Sequence, residues 1–445
     1  MEAILVKTAQ LLLSLSILVV LHEFGHFMFA RLFKTRVEKF YLFFDPWFSL
    51  FKVKKGETEY GVGWLPLGGY VKISGMIDES MDKEAMKLPP KPYEFRSKPA
   101  WQRLLIMVGG VLMNFIFAIL IYVGVLYAWG ESYLPTANAK YGIVVSEVGK
   151  EIGFQDGDKI LSVDGKHVES FSKVIPTIVL DAAKTVQVER NGQSVDVEIS
   201  DADLALLLKS KEVFAPGIPF KLGVESFSKN SVGEKAGLKV GDEVKGIDGN
   251  YYTYYNRWIQ DIKSKAGEDI VLNIERNGEP MDIAMKLGDD AAIGFVNSHY
   301  KADVFEWQTI NYGFFESFPE GIRRGVETTG DYLKQFKLFF KPETKAYESL
   351  GGFATIGNIF PSTWDWESFW NMTAFISIIL AIMNLLPIPA LDGGHVMFLV
   401  FEMVSGKKPG EKFLEYAQIV GMVILLALVL YANANDIIKM INGTF

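Results

Sequence analysis

The chain has 445 residues, no cysteine and a formal net charge of −8. Without cysteine there is no disulfide framework, no thiolate metal site and no thiol nucleophile, so a metal would have to use His, Asp or Glu. The acidic balance and the lack of a Lys/Arg-rich tract argue against nucleic acid as a partner.

Hydrophobic residues make up 49 % of the chain, but they are bunched. Residues 101–129 and 412–432 are almost free of charge, whereas 138–300 reads like soluble protein. The pattern predicts an α-helical polytopic membrane protein with a β-rich soluble insert, in contact with membrane lipid.

The first expected transmembrane helix falls in 1–34, with the apolar run Leu11–Leu21 at its centre. It reads as a retained span. Its start carries only Lys7 against Glu2, the helical pattern continues past Leu21, and no clean small-residue cleavage site follows. The second lies in 99–131, with Trp101 and Trp129 as interfacial anchors. The third falls in 369–395 and the fourth in 411–438. Each reaches the roughly 20 residues that cross a bilayer core.

The loop 35–98 lies between the first two spans. Residues 34–98 carry twelve Lys/Arg, and Lys407, Lys408 and Lys412 mark the last loop. These loops are expected in the cytoplasm, leaving both termini and the insert outside. Phe40–Phe51 is aromatic and apolar. Tyr60–Ser74 alternates around Pro66-Leu67-Gly68-Gly69 and predicts a membrane-associated β-hairpin, a backbone tolerated at that depth only against protein or a hydrated cavity.

The insert contains a repeat. Gly153-Phe-Gln-Asp-Gly-Asp158 aligns with Gly237-Leu-Lys-Val-Gly-Asp242, and Val188-Glu-Arg-Asn-Gly192 with Ile274-Glu-Arg-Asn-Gly278; the offsets are 84 and 86 residues. Two copies of one domain follow, at 138–215 and 218–300, with short strands joined by Asp-Gly and Asn-Gly turns. The pattern resembles bacterial PDZ domains, which capture peptides by strand addition. Two spacer domains that bind no peptide would share it. Residues 301–368, with Tyr332-Leu-Lys-Gln-Phe-Lys-Leu-Phe-Phe340, read as an amphipathic segment for the outer membrane surface, or as a packed soluble helix.

His22-Glu23-Phe24-Gly25-His26 is an H-E-x-x-H motif. On a helix the two histidines lie one turn apart on one face, fit to hold Zn²⁺ with Glu23 beside the metal as general base. Three such residues inside an apolar span are costly unless paired or liganded. A third ligand is needed. Asn384-Leu-Leu-Pro-Ile-Pro-Ala-Leu-Asp-Gly-Gly394 offers Asp392, after two prolines that break the helix. Asp392 could instead cap the next helix, and His395 is a rival ligand. Other divalent ions could use the same donors.

The paired motifs HEFGH and NLLPIPALDGG resemble the site-2 proteases, the intramembrane zinc metalloproteases, and with two PDZ-like repeats they look like the RseP-type bacterial members. The resemblance implies zinc on His22, His26 and Asp392, Glu23 as catalytic base, and Asn384 in contact with substrate. It implies a re-entrant β-loop holding extended substrate at Gly68, Gly69 and Tyr70. It also implies a bacterial inner-membrane location with the active site toward the cytoplasm. The implied substrates are single-span proteins of the anti-sigma-factor type and signal-peptide remnants. One departure is Gly351-Gly352-Phe353, where Pro usually follows the glycines. The competing readings are a non-catalytic PDZ scaffold, a metal transporter and an anchored soluble zincin. Glu23 has no use in a scaffold, hydrolysis suits the motif better than transport, and a soluble zincin helix would carry a polar face.

Overall fold

The computed structural model describes residues 2–66, 68–76, 89–210, 212–299, 304–338 and 350–442. Leu67, Tyr300 and segments 77–88, 301–303 and 339–349, which belong to the expected hairpin, loop, second repeat and amphipathic region, lie outside the described residues. Two compact units emerge: Met1–Gly130 with Asn311–Phe336 and Tyr347–Phe445, and Glu131–Ile310 with Lys337–Ala346.

In the first unit, four helices among the described residues are long and apolar enough to cross a membrane: Glu2–Leu32, Ala100–Trp129, Trp366–Leu385 and Lys412–Ile441. They are called the first to fourth spans below. Lipid offers no hydrophobic drive for helices to pair, so close packing through small residues must supply it. Gly25 and Gly109 do this for the first two spans: a β-carbon on Gly109 would lie 2.7 Å from the Gly25 carbonyl oxygen. The second and third spans meet through Ala118, Ala374 and Ile378, all fully buried, and the Ser377 hydroxyl donates to the Asn114 carbonyl at 2.7 Å.

The third span begins three residues before the expected start. Asp365 caps it by accepting from the Ser368 N–H at 2.7 Å, a polar first turn that hydropathy does not register. It also ends at Leu385 rather than running to 395. Pro387 and Pro389 cannot continue a helix, and a separate helix, Asp392–Ser405, follows. At the departure noted above, the Phe353 N–H donates to Asn433 Oδ1 at 3.3 Å; a proline there would have no hydrogen to give.

The loop after the first span forms a four-stranded sheet from β1 (Val37–Leu42), β2 (Phe44–Lys55), β3 (Thr58–Leu65) and β4 (Tyr70–Ile73), in the order β2-β3-β1-β4. The expected hairpin across 60–74 is therefore corrected. β3 and β4 do not pair with each other; β1 lies between them, parallel to β3 and antiparallel to β4. Alternation identified the strands, but pairing depended on Phe40–Phe51, which reads locally only as an apolar run.

Helix Ser317–Leu338 sets Gly321 and Gly325 against Val123 and Ile119 of the second span. It leaves Ile322, Val326 and Leu333 exposed.

The second unit has two hydrophobic cores, one built around Ile143, Val163, Val186 and Phe214, the other around Leu222, Ile247, Leu272 and Ile274. One ion pair recurs at matched positions in the two halves. Arg190 Nε and Nη2 donate to Asp158 at 2.7 Å each, and Nη2 also reaches the Gly153 carbonyl at 2.9 Å. Arg276 makes the same three bonds, to Asp242 and to Gly237, at 2.7, 2.7 and 2.9 Å. Each half has a hairpin turned by Asn-Gly: Asn191 and Gly192 at φ 52 and 79, Asn277 and Gly278 at φ 52 and 84. Two successive positive φ values match the right-handed twist of paired strands.

Candidate metal centre

His22 and His26 lie one turn apart on the first span, and Asp392 opens the helix after the third. To deliver Asp392, the chain turns through Ala390 at φ 98, a costly conformation for a residue with a β-carbon. Gly393 allows the turn to close: a β-carbon there would stand 2.1 Å from the Leu386 carbonyl oxygen.

Three donor atoms converge. His22 Nε2 lies 3.2 Å from His26 Nε2 and 3.2 Å from Asp392 Oδ2, and His26 Nε2 lies 3.3 Å from the same oxygen. Asp392 Oδ2 is buried and has no hydrogen-bond partner. Tetrahedral zinc with bonds of 2.0–2.2 Å sets its ligand atoms roughly 3.3 Å apart. The triangle therefore has the edge lengths a metal requires, and three protein ligands leave a fourth position open. His26 Nδ1 lies 2.8 Å from the Ile106 carbonyl. Only a protonated Nδ1 can donate there, so Nε2 keeps its lone pair for the metal.

The second span makes the room. A β-carbon on Gly110 would lie 2.5 Å from His26 Nε2 and 2.6 Å from His22 Cε1. Gly109, Gly110 and Asn114 belong to none of the sequence motifs. The available signals were a Gly-Gly pair and a lone asparagine inside an apolar span.

A cavity of about 650 Å³ opens onto the triangle, lined by His22, Glu23, His26, Lys39, Gly69, Tyr70, Val71, Asp392 and His395, among others. β4 ends the sheet on this side, and its Val71 lines the same cavity as Glu23. Gly68 has φ 150, and a β-carbon on Gly69 would meet the Tyr41 carbonyl oxygen at 2.7 Å, so both positions require glycine. The Tyr70 hydroxyl donates to Asp45 at 2.9 Å and its ring stacks on Tyr41 at 5.3 Å. Asn384 Nδ2 is 3.4 Å from His22 Nε2. Asp392 is the first residue of its helix, with Leu391 as the cap. His395, one turn on, lines the cavity but is not in the donor cluster formed by His22, His26 and Asp392.

The family model for Peptidase family M50 matches residues 10–428. The chain belongs to this family. The peptidase is an intramembrane metalloprotease of the site-2 type, and zinc is the metal of that family. It is 30% identical over 447 residues to a Neisseria meningitidis protein that bears a zinc-metalloprotease name, with 96% of this chain and 97% of the relative covered. It is 28% identical over 449 residues to the regulator of sigma-E protease RseP of Escherichia coli, covering 96% and 97%. To the regulator of sigma E protease of Haemophilus influenzae it is 27% identical over 466 residues, covering 96% and 98%.

Proposed function

We propose that this peptidase hydrolyses peptide bonds within the transmembrane segments of single-span proteins, with zinc on His22, His26 and Asp392 and Glu23 as general base. The observation that carries the reading is the triangle of Nε2, Nε2 and Oδ2 atoms at 3.2–3.3 Å, with Glu23 on the same helix turn. Zinc, when bound, supplies a Lewis acid and a water of lowered pKa. Glu23 takes the proton from the attacking water and returns it to the leaving amine. The Asn384 amide, beside His22, donates to the carbonyl oxygen as it gains charge.

A helical substrate hides its carbonyls in its own hydrogen bonds and must unwind first. β4 is a sheet edge beside Glu23, suited to pair with an extended substrate at Gly68, Gly69 and Tyr70. We assign this sheet to a membrane-dipping position. Trp47, Phe48 and Phe51 on β2 are 91%, 56% and 62% exposed, an apolar face that favours lipid over water. Helix Ser317–Leu338, with its exposed Ile322 and Val326, is assigned to the outer membrane surface.

The two repeats are read as tandem PDZ domains at 138–215 and 218–300 that act as a size filter on substrates. The relatives are named as regulators of sigma E, which supports an anti-sigma factor as one substrate class, with signal-peptide remnants as a second. The bacterial relatives support an inner-membrane position, and the lysine distribution supports termini and repeats in the periplasm with the metal toward the cytoplasm.

The test is cleavage of a purified single-span substrate, with the cut mapped by mass spectrometry. A cut inside the span, faster when Gly, Pro or Asn is placed there, fits the reading. A cut only outside the span overturns it, and a rate indifferent to helix breakers removes the unwinding step. Deletion of 138–300 should admit substrates with bulky outer domains; unchanged selectivity in a folded variant would remove the filter.

A further inference from the structure

Asn114 is fully buried in the second span, and the proposed mechanism leaves it unused. Its side-chain nitrogen is drawn 3.3 Å from His22 Nδ1, while its Oδ1 is buried with no partner. This arrangement conflicts with a metal site. If His22 Nε2 points a lone pair at the metal, the neutral ring carries its proton on Nδ1. Two donors, the Nδ1–H and the amide NH₂, would then face each other while an acceptor stands idle beside them. The nitrogen and oxygen of an asparagine amide are assigned from their surroundings. Turning the amide by half a revolution pairs its oxygen with the Nδ1–H and moves the NH₂ to the buried position the oxygen leaves, so the clash of two donors at the ligand ring is removed.

The other histidine supplies the pattern. His26 Nδ1 faces the carbonyl of Ile106 at 2.8 Å. Ile106, Gly110 and Asn114 are spaced four residues apart, on one face of the second span. Ile106 offers an acceptor to His26, Gly110 gives both rings room, and Asn114 stands against His22. The main-chain carbonyl of Asn114 accepts from the Ser377 hydroxyl at 2.7 Å, which fixes the backbone at this position.

We infer that Asn114 is a positioning residue for the metal centre: its amide oxygen accepts the His22 Nδ1–H and so sets the tautomer and ring orientation that leave Nε2 for zinc. The inference rests on the reading of His22 as a ligand.

Zinc affinity of the purified full chain tests it, by competition with a chromophoric chelator. Outer partners of a ligating histidine are worth about 10–100-fold in metal affinity. Asn114→Leu, of similar size but without an acceptor, should weaken zinc by that factor. Asn114→Asp, which keeps an acceptor at the same place, should stay within a few-fold of wild type or bind tighter. A residue needed only for packing would tolerate leucine better than a buried carboxylate, so the order of the two variants is diagnostic. Wild-type affinity in Asn114→Leu overturns the inference, as does loss of zinc in Asn114→Asp. If the leucine variant does not fold, the aspartate variant still decides, because it has no N–H to donate. His22→Ala separates the two readings. Retained zinc there means that His22 is not a ligand; lost zinc there, with wild-type affinity in Asn114→Leu, refutes the role of Asn114 alone.

Discussion

Gly25 of the first span and Gly109 of the second are in backbone contact: a β-carbon on Gly25 would stand 2.2 Å from the Gly109 carbonyl oxygen. That contact sets the depth at which His26 meets the Ile106 carbonyl and both rings meet Gly110. Backbone atoms cannot swing aside as a flexible side chain can, so the helices themselves must part. Gly25→Ala and Gly109→Ala are each expected to lower zinc content and cleavage by about tenfold or more, as loss of ligand orientation does. Metal analysis of the purified variants, alongside circular dichroism to verify helix content, checks this.

The donor triangle separates Asp392 from His395. Asp392→Asn removes the charged member of the proposed ligand set and should leave about a tenth or less of the wild-type zinc after dialysis. His395→Ala should keep about one zinc per chain, because the ring lies outside the cluster. Elemental analysis of both variants measures it; the reverse pattern would transfer the third ligand to His395.

The second repeat should be acid-sensitive through Asp242. Burial pushes this carboxyl up, but the Arg276 guanidinium and the Lys239 N–H outweigh it and hold the group below its ordinary value. A carboxylate depressed in the folded state adds stability that is fully present above the ordinary aspartate value near 4. That stability is lost as pH falls through the lower, folded value. Hydrogen exchange of peptides from 218–299 should therefore quicken as pH drops below about 4, after correction for intrinsic exchange. Asp242→Asn should flatten this added dependence. It should also destabilise the repeat at neutral pH, because the Arg276 guanidinium loses its carboxylate partner.

The motifs were legible because they are local. H-E-x-x-H needs only one helix turn, and Asp392 stands out because two prolines and two glycines surround it. The repeats were legible because Asp158–Arg190 and Asp242–Arg276 recur at matched positions. What the sequence hid was partnership across distance. Nothing near Tyr60–Ser74 says that β1 inserts between β3 and β4, since strand pairing is decided by tertiary contacts. Gly109, Gly110 and Asn114 read as ordinary members of an apolar span until the first span is packed against them. The third span's start at Trp366 was missed because its Asp365 cap is polar, and hydropathy reads only the lipid-facing turns.

In the proposed mechanism Glu23 moves protons at a metal it does not hold. The direct measurement compares wild type, Glu23→Gln and wild type with phenanthroline on one purified single-span substrate, with bound zinc measured in each. Wild type alone is expected to cut within the span, while Glu23→Gln is inert and still carries about one zinc. Cleavage by Glu23→Gln at the wild-type rate, or by wild type fully stripped of metal, would contradict it.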